Sequence, residues 1–278
     1  PPRTADRFFG FKTSPKTRSG MSRRVRMGVL VPGPAQGICT EEVIMKKAFD
    51  FPSALGLFKH TLRAPGPRGY TVGPDIADAM LELANEETVT AVSHLVSDTL
   101  ASGLRVWITS DLHFNHERMI SFCDRPFRDV ETMNSALRRQ LLKVGEDDLL
   151  IIAGDVVMGA ESNILALFEL PGQKILVTGN HDFTYSGKPR FTRMVEPGGD
   201  DVFDYVVPFL YWTEGYSKTA RPVMVTHFPL DMPASYDPAV SGQIKNYHGH
   251  LHDEFKGSTL QVKYVNVCWD VNHGVHCL

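Results

Sequence analysis

The segment Arg105–His113, with the sequence RVWITSDLH, sets the pattern for the second half of the chain. Its first six residues are rich in β-branched and aromatic side chains, which favour a buried strand. An aspartate and a histidine, Asp111 and His113, follow directly. We therefore predict a strand over Arg105–Ser110 that leads into side chains able to do chemistry.

The same pattern of apolar segments recurs along the rest of the chain. Segments rich in Val, Ile and Leu predict further strands at Leu149–Ala153, Lys174–Thr178, Pro222–Thr226 and Leu260–Val267. Between the first two strands, Met133, Ala136, Leu137 and Leu141 are spaced like the apolar stripe of an amphipathic helix. Strands that alternate with helices indicate an α/β domain.

Besides Asp111 and His113 after the first strand, polar side chains directly follow the strands at Leu149–Ala153, Lys174–Thr178 and Pro222–Thr226, and a further group comes later in the chain. They are Gly154-Asp155, Gly179-Asn180-His181-Asp182, His227 and Gly249-His250-Leu251-His252. Ligands bind at the carboxyl ends of the strands in open α/β sheets, so we expect these residues to converge. Asp111 and His113 are two residues apart, as are His250 and His252, and on an extended backbone each pair would project to one side.

This set of side chains favours a metal site. Carboxylate, amide oxygen and imidazole suit divalent Mn, Fe, Zn or Ni, and the absence of thiolates argues against a structural zinc. The candidate ligands are too many for one ion, and they fit two ions that share one carboxylate, an arrangement used for phosphoryl displacement. They are Asp111, His113, Asp155, Asn180, His227, His250 and His252.

These motifs, taken in order, resemble the calcineurin-like metallophosphoesterase superfamily. That family has Asp-x-His, Gly-Asp, Gly-Asn-His-(Asp or Glu), a single His and Gly-His-x-His, and every block is present here from Arg105 onward. The text His113-Phe114-Asn115-His116, followed by Phe122 and Arg125-Pro126-Phe127, is most similar to the compact phage and bacterial branch. The resemblance implies an α/β/β/α sandwich built on two sheets.

The resemblance also implies roles for individual residues. The first metal would be held by Asp111, His113, Asp155 and His252, and the second by Asp155, Asn180, His227 and His250. A metal-bound hydroxide would attack phosphorus, while His181 gives a proton to the leaving oxygen and Asp182 orients the His181 ring. The predicted cofactors are two divalent transition metal ions, with manganese favoured.

Other side chains near the motifs allow two interpretations each. His116 either faces the incoming phosphate or caps the following helix, and Arg125 is either a phosphate clamp or part of a surface salt bridge. The aromatic residues Phe209, Tyr211, Trp212 and Tyr216 either fill the core or offer a ring to a nucleobase. We expect His248 to be structural, and His273 and His276 to be solvated residues of a tail.

The first hundred residues match none of these motifs. The segment 1–28 has eight basic residues and one acid, a composition shared by transit peptides, polyanion-binding arms, flexible tails and stretches upstream of a start at Met21. The segment 29–103 is predicted to be a mostly helical accessory region, with one helix that follows a cap at Asp75. The metallophosphoesterase domain is predicted over 104–278.

Composition excludes several classes of protein. No uncharged apolar run approaches the roughly 18 residues of a membrane span, so an integral membrane protein is not expected. Four cysteines in 278 residues form no disulfide framework, which favours a reducing compartment, the cytoplasm, with organelle targeting by the basic leader left open. With a pI near 6.4, the protein has no overall attraction to nucleic acid. The sequence gives no oligomeric state.

The predicted function is hydrolysis of a phosphodiester in a nucleotide, a cyclic nucleotide or a nucleic acid. A diester is preferred because the short catalytic domain leaves little sequence for a cap that would enclose a small monoester. The alternatives are a phosphomonoesterase, including a protein phosphatase, a nuclease that uses the basic leader, and a non-catalytic scaffold with the same fold.

Overall fold

Two β-sheets form the centre of this computed structural model, which describes residues 49–66, 71–159, 167, 170–191, 201–215, 219–252 and 258–278. The chain divides into two units, Pro1–Ile44 and Met45–Leu278, and every described residue belongs to the second. The predicted leader at 1–28 lies outside the described residues, as do Cys39 and Tyr216.

The first sheet is mainly parallel and has the strand order β4-β3-β2-β1-β9. Strands β1 to β4 pair in parallel, and β9 pairs antiparallel with β1, where His276 lies opposite Ile108. His276 is therefore part of a strand and not of a tail, while its side chain is exposed as expected. The strands are β1 (Val106–Thr109), β2 (Leu149–Ile152), β3 (Gln173–Val177), β4 (Tyr205–Val207) and β9 (His276–Cys277).

The second sheet is mixed and has the order β5-β6-β7-β8. Its strands are β5 (Leu210–Glu214), β6 (Arg221–Thr226), β7 (Ile244–His248) and β8 (Val262–Asn266). All five predicted strands are confirmed, whereas β4, β5, β7 and β9 were not expected. Strand β7 contains the polar residue Asn246, which is buried and donates its amide hydrogens to Thr226 Oγ1 at 2.9 Å and Met224 O at 3.4 Å. These hydrogen bonds offset the cost of burying an amide. A buried strand can therefore contain a polar residue, and β7 does not show the continuous apolar run that predicts a strand.

Helices flank the two sheets. They are α1 (Phe51–Arg63), α2 (Pro74–Glu82), α3 (Glu86–Ala101), α4 (Arg118–Phe122), α5 (Val130–Leu141), α6 (Pro238–Ser241) and α7 (Trp269–Asn272). The expected cap of α2 is wrong, because the cap is Gly73 and Asp75 lies in the first turn. Pro74 sets this start, since its fixed φ angle and missing N–H suit the first helical position. None of the described helices is long and apolar enough to cross a bilayer.

The N-terminal helices share the core of the sandwich. Ser93 of α3 accepts a hydrogen bond from the backbone N–H of Tyr211 at 3.1 Å, and Phe51 of α1 stacks on Phe209 with ring centroids 6.0 Å apart. Phe209, Tyr211 and Trp212 are all buried. These three aromatic residues therefore pack in the core, and the nucleobase-stacking interpretation does not apply to them.

The two sheets meet near the carboxyl end of β1. The backbone N–H of Ser110 donates to Val267 O at 3.1 Å, and the N–H of Trp269 donates to Ser110 O at 3.0 Å. Ser110 therefore links the end of β1 to the segment that follows β8. The carboxyl ends of strands from both sheets consequently face one region.

Candidate metal centre

The predicted ligands fall into two groups of side chains that lie next to each other. In the first group, a carboxylate oxygen of Asp111 and ring nitrogens of His113 and His252 all lie within 4.8 Å of one another. In the second, Asp155 is grouped in the same way with His227 and His250. The structure thus brings these six residues together from both sheets.

Asp155 lies between the two groups. Its Oδ2 atom is 3.6 Å from His113 Nε2 and 3.5 Å from His227 Nε2, while Oδ1 accepts a hydrogen bond from the backbone N–H of His181 at 2.8 Å. One carboxylate oxygen is therefore held by the backbone and the other faces a histidine of each group. Asn180 completes the second group, because its Oδ1 lies 3.1 Å from His227 Nε2.

One histidine in each group is oriented by a hydrogen bond to an oxygen atom of a residue outside the predicted ligand set. His227 Nδ1 lies 2.8 Å from the carbonyl oxygen of Ala153, and His252 Nδ1 lies 2.7 Å from Asp270 Oδ2. A carbonyl or carboxylate oxygen can only accept, so in both rings Nδ1 is the donor. Nε2 therefore points into the centre in each case, and His252 Nε2 lies 3.4 Å from Asp111 Oδ1.

The loops that carry these ligands have a strained backbone. Asp111, His113, Asp155 and His250 all have positive φ angles, between 51° and 67°, a region that non-glycine residues seldom adopt. The extended backbone that we expected at the Asp-x-His and His-x-His pairs is therefore wrong. The side chains converge because of left-handed turns, which the residue spacing alone does not reveal.

Glycines allow the ligand loops to approach closely. Gly154 has a φ angle of 89°, and a Cβ atom there would lie 2.5 Å from His227 Nδ1 and 2.6 Å from the Gly179 backbone. A Cβ at Gly249 would collide with Ser110 Oγ and Asp111 Oδ2. Any side chain at these two positions would displace a ligand.

Asp182 joins two of the ligand loops. Its Oδ2 accepts hydrogen bonds from the backbone N–H groups of Asp155 at 3.0 Å and Gly179 at 2.7 Å, and its Oδ1 accepts from Val156 at 3.1 Å. The residue is buried. The expectation that Asp182 orients the ring of His181 is therefore not what these contacts indicate, because the carboxylate is occupied by backbone amides.

His181 and His116 lie at the edge of the centre. Both are partly exposed, and their ring centroids are 5.3 Å and 5.5 Å from that of His113. No side chain caps helix α4, whose N-terminal flanking residue is Glu117, so His116 does not act as a cap. Of the two interpretations of His116, the one in which it faces the site agrees with this position.

A family model described as calcineurin-like phosphoesterase matches residues 104–260, which is more than half of the chain. This chain belongs to the calcineurin-like phosphoesterase family. All seven predicted ligands lie inside the matched range. The resemblance that the ordered motifs indicated is thereby confirmed.

Relatives of the chain include a phage protein, as the text around the first motif suggested. The gene 66 protein of Mycobacterium phage D29 is 32% identical over 175 residues, which are 56% of this chain and 82% of the phage protein. An uncharacterized protein of Methanocaldococcus jannaschii is 37% identical over 82 residues, which are 28% of this chain and 47% of the archaeal protein. The chain thus spans about half the length of that relative.

Among solved structures, a protein of unknown function from Aquifex aeolicus is similar to this chain. The match has a TM-score of 0.44 and 21% sequence identity, and it covers 63% of this chain and 95% of the other.

The donor set fits the divalent metals that this family binds. Asp111 Oδ1 and His113 Nε2 are buried without a hydrogen-bond partner, and they lie 4.0 Å apart. Buried polar atoms normally have partners, and bare atoms of these types next to His252 are what a cation requires. The residues present therefore match the cofactor that the family implies.

Burial and neighbouring charges shift the ionisation of the imidazoles in opposite directions. Burial lowers the pKa of His113 well below its ordinary value and lowers the pKa of His250 to about 3, so both rings are neutral at pH 7. Burial also acts on His227, but the carboxylates of Asp155 and Asp111 outweigh it and raise the pKa to about 9. Binding of a cation by His227 would therefore release a proton.

Arg125 is not placed to contact a substrate, and the phosphate-clamp interpretation is wrong. Its side chain is only 1% exposed, and its guanidinium donates to Asp270, Leu112 O and Asp111 O. The surface salt bridge is also wrong, because the ion pair with Asp270 is buried. Arg125 follows the first motif in the sequence, but the fold turns it inward beneath the ligand loop.

Sequence reasoning missed Asp270 and the inward role of Arg125. Asp270 comes four residues after the end of β8, so it follows a strand as the predicted ligands do. That position was a usable signal. Asp270 lies outside the ordered motifs and beyond the matched range 104–260, so no motif marks it.

Proposed function

We propose that this protein hydrolyses phosphodiesters with two divalent metal ions, which share Asp155. The first ion would be held by Asp111, His113, Asp155 and His252, and the second by Asp155, Asn180, His227 and His250. The observation that carries the proposal is the position of Asp155 Oδ2, at 3.6 Å from His113 and 3.5 Å from His227. A carboxylate shared in this way is typical of two-metal sites.

The ligand set supports ions of borderline character. It contains carboxylate and amide oxygens together with imidazole nitrogens, which suit Mn²⁺, Fe, Zn²⁺ and Ni²⁺. Mn²⁺ is the ion that we propose to test first. When bound, a pair of such ions would supply Lewis-acid stabilisation of phosphoryl oxygens and a water of lowered pKa.

The chain itself would supply the proton for the leaving group. The His181 ring is partly exposed and lies against His113, and the backbone N–H of His181 is fixed to Asp155 Oδ1 at 2.8 Å. This places an imidazole beside the shared carboxylate. In our assignment the His181 ring is not a metal ligand, so it is available for proton transfer. A ring nitrogen of His181 would donate its proton to the departing oxygen, as a general acid.

A diester is preferred over a monoester because of how the chain between the ligand segments is used. In the described residues between Asn180 and His227, β4 and β5 extend the two sheets. Their residues therefore build the sandwich, and in the described part of this connection they do not form a cap over the metal centre. An open site suits a substrate with groups on both sides of phosphorus.

The direct test is a panel of substrates with the metal-reconstituted protein. We would compare a monoester, a simple diester, 2′,3′- and 3′,5′-cyclic nucleotides, and single-stranded DNA and RNA, each with the Asp155→Ala variant as the inactive control. Faster turnover of diesters supports the proposal. Preference for the monoester would favour a phosphomonoesterase or protein phosphatase, and binding of both ions without any hydrolysis would favour a scaffold.

The dependence of the rate on salt separates the possible diester substrates. Binding to nucleic acid through several phosphates weakens steeply with salt, whereas binding of a small nucleotide does not. A steep loss confined to the oligonucleotides would indicate a nuclease. The cytoplasmic location stays a prediction.

A further inference from the structure

We propose that Asp270 and Arg125 are positioning residues that set the metal affinity of the first ligand group through His252. This inference rests on the proposed two-metal site and concerns side chains outside it. The starting observation is the contact of 2.7 Å between Asp270 Oδ2 and His252 Nδ1. It connects a predicted ligand to a carboxylate that belongs to none of the sequence motifs.

The Asp270 contact fixes both the tautomer and the direction of the imidazole. Because the carboxylate accepts, His252 Nδ1 carries the hydrogen and Nε2 keeps the lone pair that a metal needs. Nε2 lies 3.4 Å from Asp111 Oδ1, on the side of the first ligand group. Rotation of the ring would break the contact with Asp270, so the contact holds Nε2 toward its partner ligand.

Arg125 ties Asp270 to the loop that carries the other ligands of this group. Its Nε and Nη2 donate to the two Asp270 oxygens at 2.6 Å and 2.9 Å, while Nη2 and Nη1 also donate to the carbonyls of Asp111 at 2.8 Å and Leu112 at 2.9 Å. A single planar guanidinium thus fixes the loop at Asp111 and Leu112 to Asp270, which lies 145 residues after Arg125 in the sequence.

Packing and charge both favour a permanent structural role for this pair. The Arg125 guanidinium also lies 5.0 Å from the centre of the Trp269 ring, and 1% of its side chain is exposed. Asp270 is equally enclosed, with 4% of its side chain exposed. A buried carboxylate without a cation would be costly, so Arg125 allows Asp270 to stand behind His252 in its charged form.

A third metal ion is the alternative use of this cluster. Donor atoms of Cys123, His252 and Asp270 lie within 4.8 Å of one another, as metal ligands do. However, the positive guanidinium of Arg125 already contacts both oxygens of Asp270. A cation placed there would face this charge and would compete with Arg125, so the cluster favours positioning over binding.

The test is a titration of the metal-free full-length chain with Mn²⁺ by calorimetry, with the bound metal counted by elemental analysis. Asp270→Asn is expected to weaken one of the two affinities about 10- to 100-fold and to leave the other unchanged, as orienting groups behind metal ligands usually do. Asp270→Glu keeps a carboxylate and should recover part of the loss. An affinity loss shared equally by both sites would contradict the assignment to His252.

Arg125→Lys provides a second route to the same conclusion if Asp270→Asn does not fold. Lysine keeps the positive charge but cannot reach all the oxygen atoms that the Arg125 guanidinium contacts. The metal affinity that Asp270→Asn weakens should therefore fall here too, by a smaller factor. Arg128→Lys is the matched control, since its side chain is 84% exposed and forms an ion pair with Asp129, away from both ligand groups. It should bind both ions like the unaltered protein.

The outcomes distinguish this inference from the proposed function. If the unaltered protein does not bind two ions, the proposed function fails. If it binds two and a folded Asp270→Asn variant binds both equally well, only the positioning role fails. Three ions in the unaltered protein, with one lost in Cys123→Ser, would overturn the positioning role in favour of a metal site at Asp270.

Discussion

The two ligand groups are orientated by different parts of the molecule. His227, in the second group, is held by the backbone carbonyl of Ala153 at the end of β2. His252, in the first group, is held by the side chain of Asp270, which in turn is held by Arg125. The two contact distances, 2.8 Å and 2.7 Å, are nearly equal. The first contact is made by a backbone atom, whereas the second depends on a particular side chain.

This difference bears on how each group responds to substitution. A backbone carbonyl is present whatever residue occupies position 153, so the orientation of His227 follows from the fold itself. The orientation of His252 depends on two particular side chains. We therefore expect single substitutions at Asp270 or Arg125 to change the metal affinity of the first group. The metal affinity of the second group should fall mainly when a predicted ligand or a ligand loop is altered.

The largest expected effect comes from the residue that both groups share. Asp155→Ala should reduce the metal content from about two ions per chain to almost none, because a bridging carboxylate is removed from both sites. Hydrolysis of a diester should fall to the level of the metal-free protein. Elemental analysis and rates measure this directly.

His252→Asn is the comparison for that variant. It should weaken mainly the first site and leave about one ion bound. If Asp155→Ala also retained a full ion, the two groups would be independent and the shared carboxylate would be wrong.

The next effect concerns proton donation beside the first group. His181→Asn should keep both ions and slow a substrate with an alkoxide leaving group by about 10² to 10⁴, the usual contribution of a general acid. A nitrophenolate substrate should slow much less, since nitrophenolate leaves without a proton. Loss of an ion, or equal slowing of the two substrates, would show that His181 is not the acid.

A smaller effect is expected where backbone amides organise the second group. Asp182→Asn replaces a carboxylate that accepts three backbone N–H bonds, so one amide hydrogen would be turned toward a donor. The free energy of unfolding should fall by about 1 to 3 kcal/mol. Denaturant unfolding measures this loss.

Kinetics on the same variant separate two roles for Asp182. As a clamp between loops, it should affect both leaving groups alike when it is replaced. A loss limited to the alkoxide substrate would instead support the role in which Asp182 orients His181.

The smallest functional effect is expected from a buried carboxylate outside both groups. Asp148 accepts hydrogen bonds from Trp107 Nε1 at 2.8 Å, the Gly145 backbone at 2.8 Å and Arg105 Nε at 3.2 Å. Asp148→Asn should cost about 1 to 3 kcal/mol of unfolding free energy. Each kcal/mol corresponds to about 2 to 4 °C in melting temperature for a chain of this size. Metal content and turnover should not change.

The stability difference at Asp148 should also depend on pH. Burial opposes ionisation of this group, but the hydrogen bonds from Gly145, Trp107 and Arg105 outweigh it and lower the pKa of Asp148. Its stabilising contribution is therefore present above the ordinary pKa and disappears as pH falls through the lowered value. The difference in unfolding free energy between the unaltered protein and Asp148→Asn should become smaller in acid. A difference that grew in acid would contradict this assignment.

Much of the fold was predictable because strands and ligands obey local rules. Runs of Val, Ile and Leu revealed β1, β2, β3 and β6, since buried strands need apolar residues on both faces, and an apolar run also revealed the less buried β8. Strand β7 escaped because the burial of Asn246 is offset by internal hydrogen bonds, and β9 escaped because it has only two residues. Neither property leaves a periodic pattern in the sequence.

The sequence by itself determined the candidate ligand types, their order and the family, because metal chemistry restricts which side chains can serve and where a sheet can present them. Only the tertiary structure decided how they converge. Left-handed turns at Asp111 and Asp155 replaced the expected extended backbone, and the inward turn of Arg125 brought Asp270 behind His252. Such contacts join residues distant in sequence, so they arise from packing and cannot be read from residue spacing.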